Sequence, residues 1–227
     1  MMQVSLRPVR ELRIQVPEGN LQGDLVAPAG VQAVVLFVNG RGRGRHCLDD
    51  RCVASRLHDR GIGTLLLDLL TPAEQQEPVH AGKHGADASL ITRRVMDIAA
   101  WIQAEPQLKS LPLGLCGVAS GSAPALIAAA RLGGQVQALV SVGGRPDQAG
   151  PAVLAAIKAP TLLLAGSRDV ERVALNDAAY QHLQCERSLA VIPGGGPLLD
   201  EPGVLDHAGE MATDWFVTHL LHAEAVA

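Results

Sequence analysis

A serine between two glycines, at the tip of a strand–turn–helix, is a nucleophile held out on a strained turn. Residues 112–133 of this chain have each part of that arrangement except the serine. Leu113 to Cys116 reads as a short buried strand, Gly117 to Gly121 as a sharp turn, and the alanine-rich run that follows as a helix. Gly117 and Gly121 have the Gly-x-Ser-x-Gly spacing, but the residue between them is Ala119. A methyl group cannot attack a carbonyl, so the position is inert to covalent catalysis. Ser120, next in sequence, is the nearest substitute nucleophile. At such a turn the neighbour's side chain points elsewhere and its N–H serves an oxyanion hole, so its plainer reading is a small turn residue. Ser122 begins the helix and reads as a capping or packing residue. Cys116, on the strand, reads as a small buried hydrophobe.

A second group of residues has anion chemistry. Arg41-Gly-Arg43-Gly-Arg45-His46 places three guanidinium groups on a glycine-rich loop beside a helix start. Such groups suit phosphate, sulfate or carboxylate. Arg145 and Arg168 follow neighbouring apolar strands and can face the same mouth. The alternative is that these arginines are solvated, or paired with Asp49, Asp50 or another chain. The loop is not a P-loop, because no Gly-Lys-Ser or Gly-Lys-Thr occurs. His80 and His84 lie in the polar stretch 71–85 and can reach such a site, whereas His182, His207, His219 and His222 read as helix-surface positions.

The elements that must hold these residues are legible from apolar runs. Residues 11–16 alternate polar and apolar, and 21–26 return as a hairpin partner. Residues 33–38, 64–70, 113–116, 137–142, 159–165 and 188–192 are short and mostly apolar, as in parallel strands covered on both faces. Helical stretches separate them: one starting at Asp49 or Asp50, then 86–104, 151–157, 171–183 and 204–222. Strands alternating with helices imply one α/β domain over residues 1–227, with a mostly parallel sheet flanked by helices. The ligand site then lies at the carboxyl ends of the strands, where loops 39–46, 71–85, 117–121, 143–147, 166–170 and 193–200 meet.

Composition narrows the classes of function. The chain has 227 residues, 48% of them hydrophobic and 19% charged, which suits a globular domain with a full core. A net charge of −4 gives no field that draws it to nucleic acid or an anionic membrane. Aromatic residues are only 2%, too few for a base-stacking platform. The four cysteines have no Cys-x-x-Cys pairing, so neither a metal site nor a disulfide framework is expected. The first residues lack the apolar run of a signal peptide, and no run is long enough to span a membrane. The expectation is a reduced, cytoplasmic protein.

The order of motifs resembles the dienelactone-hydrolase-like branch of the α/β-hydrolase superfamily. Thr64 to Pro72 looks like its fourth-strand segment, and "LPLGLCGVASGSAPALIAAA" like its elbow and following helix. "SVGGRPD", "APTLLLAGSRD" and "VIPGGGPLLDEPG" look like its later strand ends, and the last helix, with Trp215-Phe216, fits as well. The resemblance implies ester or lactone hydrolysis by a nucleophile, an acid and a histidine, in that chain order, with no cofactor. Carried over by motif, the acid falls on Asp169, the nucleophile on Ala119 and the base on Pro197. The His-Gly that helps build the oxyanion hole becomes Asn39-Gly40. Asp169 has a structural alternative: pairing with Arg168, or capping the next helix.

Losing a catalytic serine or histidine costs on the order of 10⁶ in turnover. The leading expectation is therefore a protein that no longer hydrolyses esters. It binds a small acidic ligand at Asn39, Gly40, Arg41, Arg43, Arg45, His46 and Arg145, or binds a protein partner. The alternatives are relocated or non-covalent chemistry on the same scaffold, and an inactivated variant of an ester or lactone hydrolase. An apolar face on the last helix makes either a dimer contact or core.

Overall fold

The computed structural model describes residues 8–40, 44–76 and 84–222, with side chains for all of these but 84–87. Eight strands form one sheet: β1 (Arg10–Val16), β2 (Gly19–Val26), β3 (Ala33–Val38), β4 (Ile62–Leu67), β5 (Leu113–Val118), β6 (Val136–Val142), β7 (Thr161–Gly166) and β8 (Arg187–Ile192). Their order across the sheet is β1-β2-β4-β3-β5-β6-β7-β8. The hairpin β1–β2 is antiparallel, β2 runs antiparallel to β4, and every later pairing is parallel. The alternation in β1 turns Leu12, Ile14 and Val16 inward and leaves its other face in solvent. By contrast β3, β4, β5 and β7 are buried along their whole length, as continuous apolar runs require.

Helices cover both faces. On one face lie α1 (Leu48–Asp59) and α7 (Val204–Leu221), which bury Ala54, Leu57, Ala208, Ala212, Phe216 and Leu220 against the sheet. The other face carries α3 (His84–Ala104), α4 (Ser122–Leu132), α5 (Pro151–Ala156) and α6 (Val170–His182). The apolar face of α7 is thus core: Phe216 has no exposed surface.

Several expected boundaries move, for identifiable reasons. The strand expected over 64–70 ends at Leu67. The backbone N–H of Asp68 still donates to the Gln22 carbonyl at 2.9 Å, but the Asp68 carboxylate accepts the Arg45 N–H and begins the loop. Part of the stretch expected as loop over 71–85 is helical: α2 spans Pro72–Gln76. Its signal is a capping box. The Thr71 N–H donates to Glu74 Oε2 at 2.7 Å, and the Glu74 N–H donates to Thr71 Oγ1 at 3.3 Å. Pro72 follows at the first helical position, where a missing N–H costs nothing. Residues 77–83 lie outside the described residues. β5 continues two residues past Cys116, to Val118. α1 starts at Leu48, so Asp49 and Asp50 lie in its first turn and do not cap it.

One buried ion cluster ties the hairpin to these helices. Arg94 of α3 has no exposed side-chain surface and donates to Glu18 at 2.7 Å and to Glu74 at 3.0 Å. Arg93 takes the other Glu18 oxygen at 2.6 Å. A fully buried guanidinium persists only with such partners. It fixes the β1–β2 turn and α2 to one point on α3.

Candidate functional site: the elbow and the strand ends

The strand β5 delivers the chain into a single 3₁₀ turn, Ala119–Gly121, and then directly into α4. Ala119 has φ +50°, in the left-handed region that disfavours any residue with a Cβ. The elbow geometry is therefore present at full strain with alanine at its tip. Gly121 explains the tightness: a Cβ there would lie 1.9 Å from the Val38 carbonyl oxygen. At Gly117 a Cβ would lie 2.8 Å from the Ser122 Cα, so α4 packs directly on the strand. Ser122 is buried, its hydroxyl donating to the Gly117 carbonyl at 3.2 Å and accepting from Ser141 at 2.9 Å. That is a packing role. Ser120 is exposed. Its hydroxyl lies over Gly40, close enough that a Cβ on Gly40 would meet it at 1.8 Å. The first residue pair of the loop after β3 therefore abuts the residue after the elbow.

Asp169 is engaged elsewhere. It caps α6 by accepting the Arg172 N–H at 2.9 Å, and its second oxygen takes Arg172 Nε at 3.0 Å. Arg172 Nη1 also donates to the Gly143 carbonyl at 3.0 Å. The Arg172 backbone N–H, then its guanidinium, hold the Asp169 carboxyl below its ordinary range despite partial burial. The cap anticipated for Asp169 is present, but its cationic partner is Arg172. Arg168 pairs with Glu201, whose Oε1 also accepts the Gly196 N–H at 2.9 Å. The Gly196 N–H first, and Arg168 with it, outweigh burial and keep Glu201 low. No histidine hydrogen-bonds to Asp169 among the described residues. In the loop after β8, Pro197 and Leu198 are exposed, while Leu199 is fully buried at φ +57°. A Cβ on Gly143 would lie 2.7 Å from the Pro197 carbonyl, so this loop rests against the end of β6.

Among the described residues, the arginines expected to face an anion, Arg45, Arg145 and Arg168, are already paired. Arg145 grips Asp147 with Nε at 2.9 Å and Nη2 at 2.8 Å. Hydrogen bonding to Asp147, against some burial, holds its guanidinium more firmly charged. Arg45 Nε lies 3.8 Å from Asp24 and 3.7 Å from Asp68, and donates to His46 Nε2 at 3.1 Å. Arg51 completes the cluster, 2.9 Å from Asp24 and 3.0 Å from His46 Nδ1. Arg45 also lines a polar concavity of about 380 Å³ on the hairpin face, with Glu11, Leu12, Arg13 and Gln22. Arg41, Arg43 and His80 lie outside the described residues, as does the side chain of His84. Asn39 is buried and donates to Asp50 at 2.8 Å. Among the described residues its Oδ1 has no hydrogen-bond partner. His182, His207 and His222 are exposed, as expected. His219 is not on the surface: only 11% of its side chain is accessible, and its ring lies 4.3 Å from that of Trp215, one turn earlier. Burial lowers its pKa, against the pull of Glu186.

Cys116 is fully buried, and burial, then Asp50, push its thiol far up, so it is an inert wall residue. It lines a cavity of about 20 Å³ with Phe37, Asp50, Val118, Val142 and Leu198. That is room for one water molecule and for no organic ligand. No three-residue cluster able to hold a metal ion occurs among the described residues, and none of their helices is long and apolar enough to cross a membrane. Sequence reasoning missed Arg172 and Arg51. Arg172 was findable, since Asp169-x-x-Arg172 has the i,i+3 spacing of a helix-surface ion pair.

An eight-stranded, mostly parallel sheet with helices on both faces and a left-handed elbow after its central strand defines an α/β-hydrolase fold. A solved dienelactone hydrolase from Anabaena variabilis is 37% identical, with a TM-score of 0.89, over 94% of this chain and 99% of that one. The chain belongs to the dienelactone-hydrolase branch of the α/β-hydrolases. Est1E from Butyrivibrio proteoclasticus shares the fold at a TM-score of 0.76 and 13% identity, covering 93% of this chain and 99% of that one. A Mycobacterium tuberculosis protein provisionally named a phosphoribosyl transferase is 39% identical over 215 residues, which are 94% of this chain and 47% of that protein. The chain thus spans about half the length of the curated relatives it matches. No family profile matches it.

Proposed function

We propose that this chain binds rather than hydrolyses, taking a protein partner or a small acidic ligand at the carboxyl ends of its strands. The observation that carries this reading is Ala119 at the strained tip of the elbow. The scaffold that would aim a nucleophile is built, and the side chain there has no nucleophilic atom. Asp169 held by Arg172, and Pro197 where the resemblance expects a base, support the same reading. Residual acceleration without a triad is roughly 10³–10⁴ over water, too little for a working esterase. The name of the longer relatives gives the acidic ligand a chemical class, a phosphorylated ribose, and the partner one too, a phosphoribosyl-transferase segment.

A second reading is relocated chemistry, favoured by the exposure of Ser120. A third, an inactivated ester or lactone hydrolase, requires that Ala119→Ser alone restore activity. Labelling with a fluorophosphonate probe followed by peptide mapping, of the wild-type chain and of Ala119→Ser, separates all three: Ser120 labels under relocated chemistry, and residue 119 labels in the variant only if a hydrolase has been silenced. Binding without hydrolysis expects no label on the wild-type chain while an active dienelactone hydrolase labels in parallel. A label on Ser120 overturns it.

A further inference from the structure

Among the described residues, the large apolar side chains left exposed are Val9, Leu48, Val170, Val191 and Leu198. Single exposed apolar residues are ordinary. Here three of the five stand at one edge. Leu48 opens α1 after β3, Val170 opens α6 after β7, and Leu198 follows β8. All three therefore lie where the parallel strands release their carboxyl ends, the edge that carries the elbow. Leu48 is 75% exposed, Val170 77% and Leu198 42%. Leu198 lines one small cavity together with Asp49 and Asp50, the residues that follow Leu48 in the first turn of α1, so the loop after β8 sits beside the start of that helix.

The elbow itself adds to this surface. Ala119 is half-buried and Pro197 exposed, both apolar where the family resemblance expects a hydroxyl and an imidazole. Among the described residues, two cations of the edge carry their own counter-charges, Arg145 with Asp147 and Arg168 with Glu201. An apolar centre with a charge-balanced rim is the composition of a protein interface, and it offers a free anion little.

The longer relatives indicate the occupant. Those relatives are named for a phosphoribosyl transferase, and the stretch they share with this chain, 47% of their length, is matched by a dienelactone hydrolase as well. We infer that the carboxyl edge of the sheet, centred on Leu198 and flanked by Leu48 and Val170, docks a phosphoribosyl-transferase segment of the kind that accompanies this domain in those relatives. The inference rests on the non-hydrolytic reading, since a domain seated there closes a mouth that an ester would have to enter.

The test uses the part of the M. tuberculosis relative outside the matched 215 residues, produced as a separate chain whose cooperative thermal melt is established first and, in parallel, as the intact relative. Titration calorimetry against the full 227-residue chain is expected to show saturable binding at micromolar concentration or tighter. Val170→Asp and Leu48→Asp each place a carboxylate at the first position of a helix, where the dipole favours it, so both variants fold. Each is expected to weaken binding tenfold or more, as is Leu198→Asp, while Val9→Asp leaves it unchanged. No binding, or equal loss with Val9→Asp, overturns the docking surface. Turnover of p-nitrophenyl acetate by the wild-type chain would overturn the non-hydrolytic reading, and it is read in a separate assay.

Discussion

Both oxygens of the Asp169 carboxylate are taken by one residue, Arg172, through its backbone N–H at 2.9 Å and its Nε at 3.0 Å. An acid so held cannot orient a histidine without first losing its arginine. Ala119→Ser is therefore expected to stay within about tenfold of wild type in p-nitrophenyl acetate turnover. Ala119→Ser with Pro197→His is expected to rise at least about a hundredfold, because base and nucleophile act as a unit. Adding Arg172→Leu to that pair is expected to raise kcat again by releasing Asp169. Full recovery from the serine alone would instead identify a silenced enzyme.

The elbow makes a prediction about stability. Ala119→Gly removes a Cβ from a left-handed residue, relieving about 1–2 kcal/mol, partly offset by about 0.5–1 kcal/mol of added chain entropy. A small rise in Tm, of a few degrees at most, is expected in thermal denaturation. Gly121→Ala is expected to do the opposite and severely, since its Cβ would lie 1.9 Å from a backbone oxygen that cannot rotate away. Equal melting of both variants would mean that the turn is not the tight one described.

Removing Arg94 tests the buried clamp. Arg94→Met leaves Glu18 and Glu74 facing each other without their shared cation. A loss of about 3 kcal/mol is expected, at the lower end for a broken buried pair because Glu18 remains partly solvated. Urea denaturation measures it. An unchanged midpoint would show that water replaces the guanidinium at no cost.

Acid sensitivity follows from three carboxylates. Glu18, Asp169 and Glu201 all titrate below their ordinary values in the folded chain. For Glu18, burial opposes the shift and Arg94 outweighs it. As pH falls, the unfolded chain takes up protons first, so their stabilisation is complete above the ordinary values of 4.5 and 3.8 and fades as pH drops through the lower folded ones. His219, lowered by burial, adds a loss of the same sign beginning below 6.5. Urea midpoints between pH 7 and pH 3 are expected to fall throughout, and Glu201→Gln to flatten the acid end.

The strands were legible because β3, β4, β5 and β7 are mostly apolar runs, interrupted only by glycines and by Thr64 and Thr161, and burial on both faces leaves no other use for such runs. Ala119 at the tip of the turn was legible because the spacing of Gly117 and Gly121 fixes where the turn must fall, whereas Pro197 at the base position rests on the family resemblance. What stayed hidden was partner choice. Nothing in a one-dimensional chain says that Arg168 takes Glu201 or that Arg45 lies against Asp24, because those pairs are 33 and 21 residues apart and are brought together by the sheet. The helix Pro72–Gln76 was hidden for a different reason: Thr71-Pro-Ala-Glu74 is a readable capping box, masked by the polar composition around it. His219 was misplaced because five helix positions separate it from Asp214 and only four from Trp215, and a single position decides between solvent and a ring contact.

The thiols give the molecule a built-in clock. Cys52 is exposed on α1, whereas Cys116 is sealed in the central strand with its ionisation suppressed. A thiol reagent therefore meets the first at once and the second only when β5 leaves the sheet. The ratio of the two labelling rates, followed by mass spectrometry in plain buffer, reports the free energy of opening the core without denaturant.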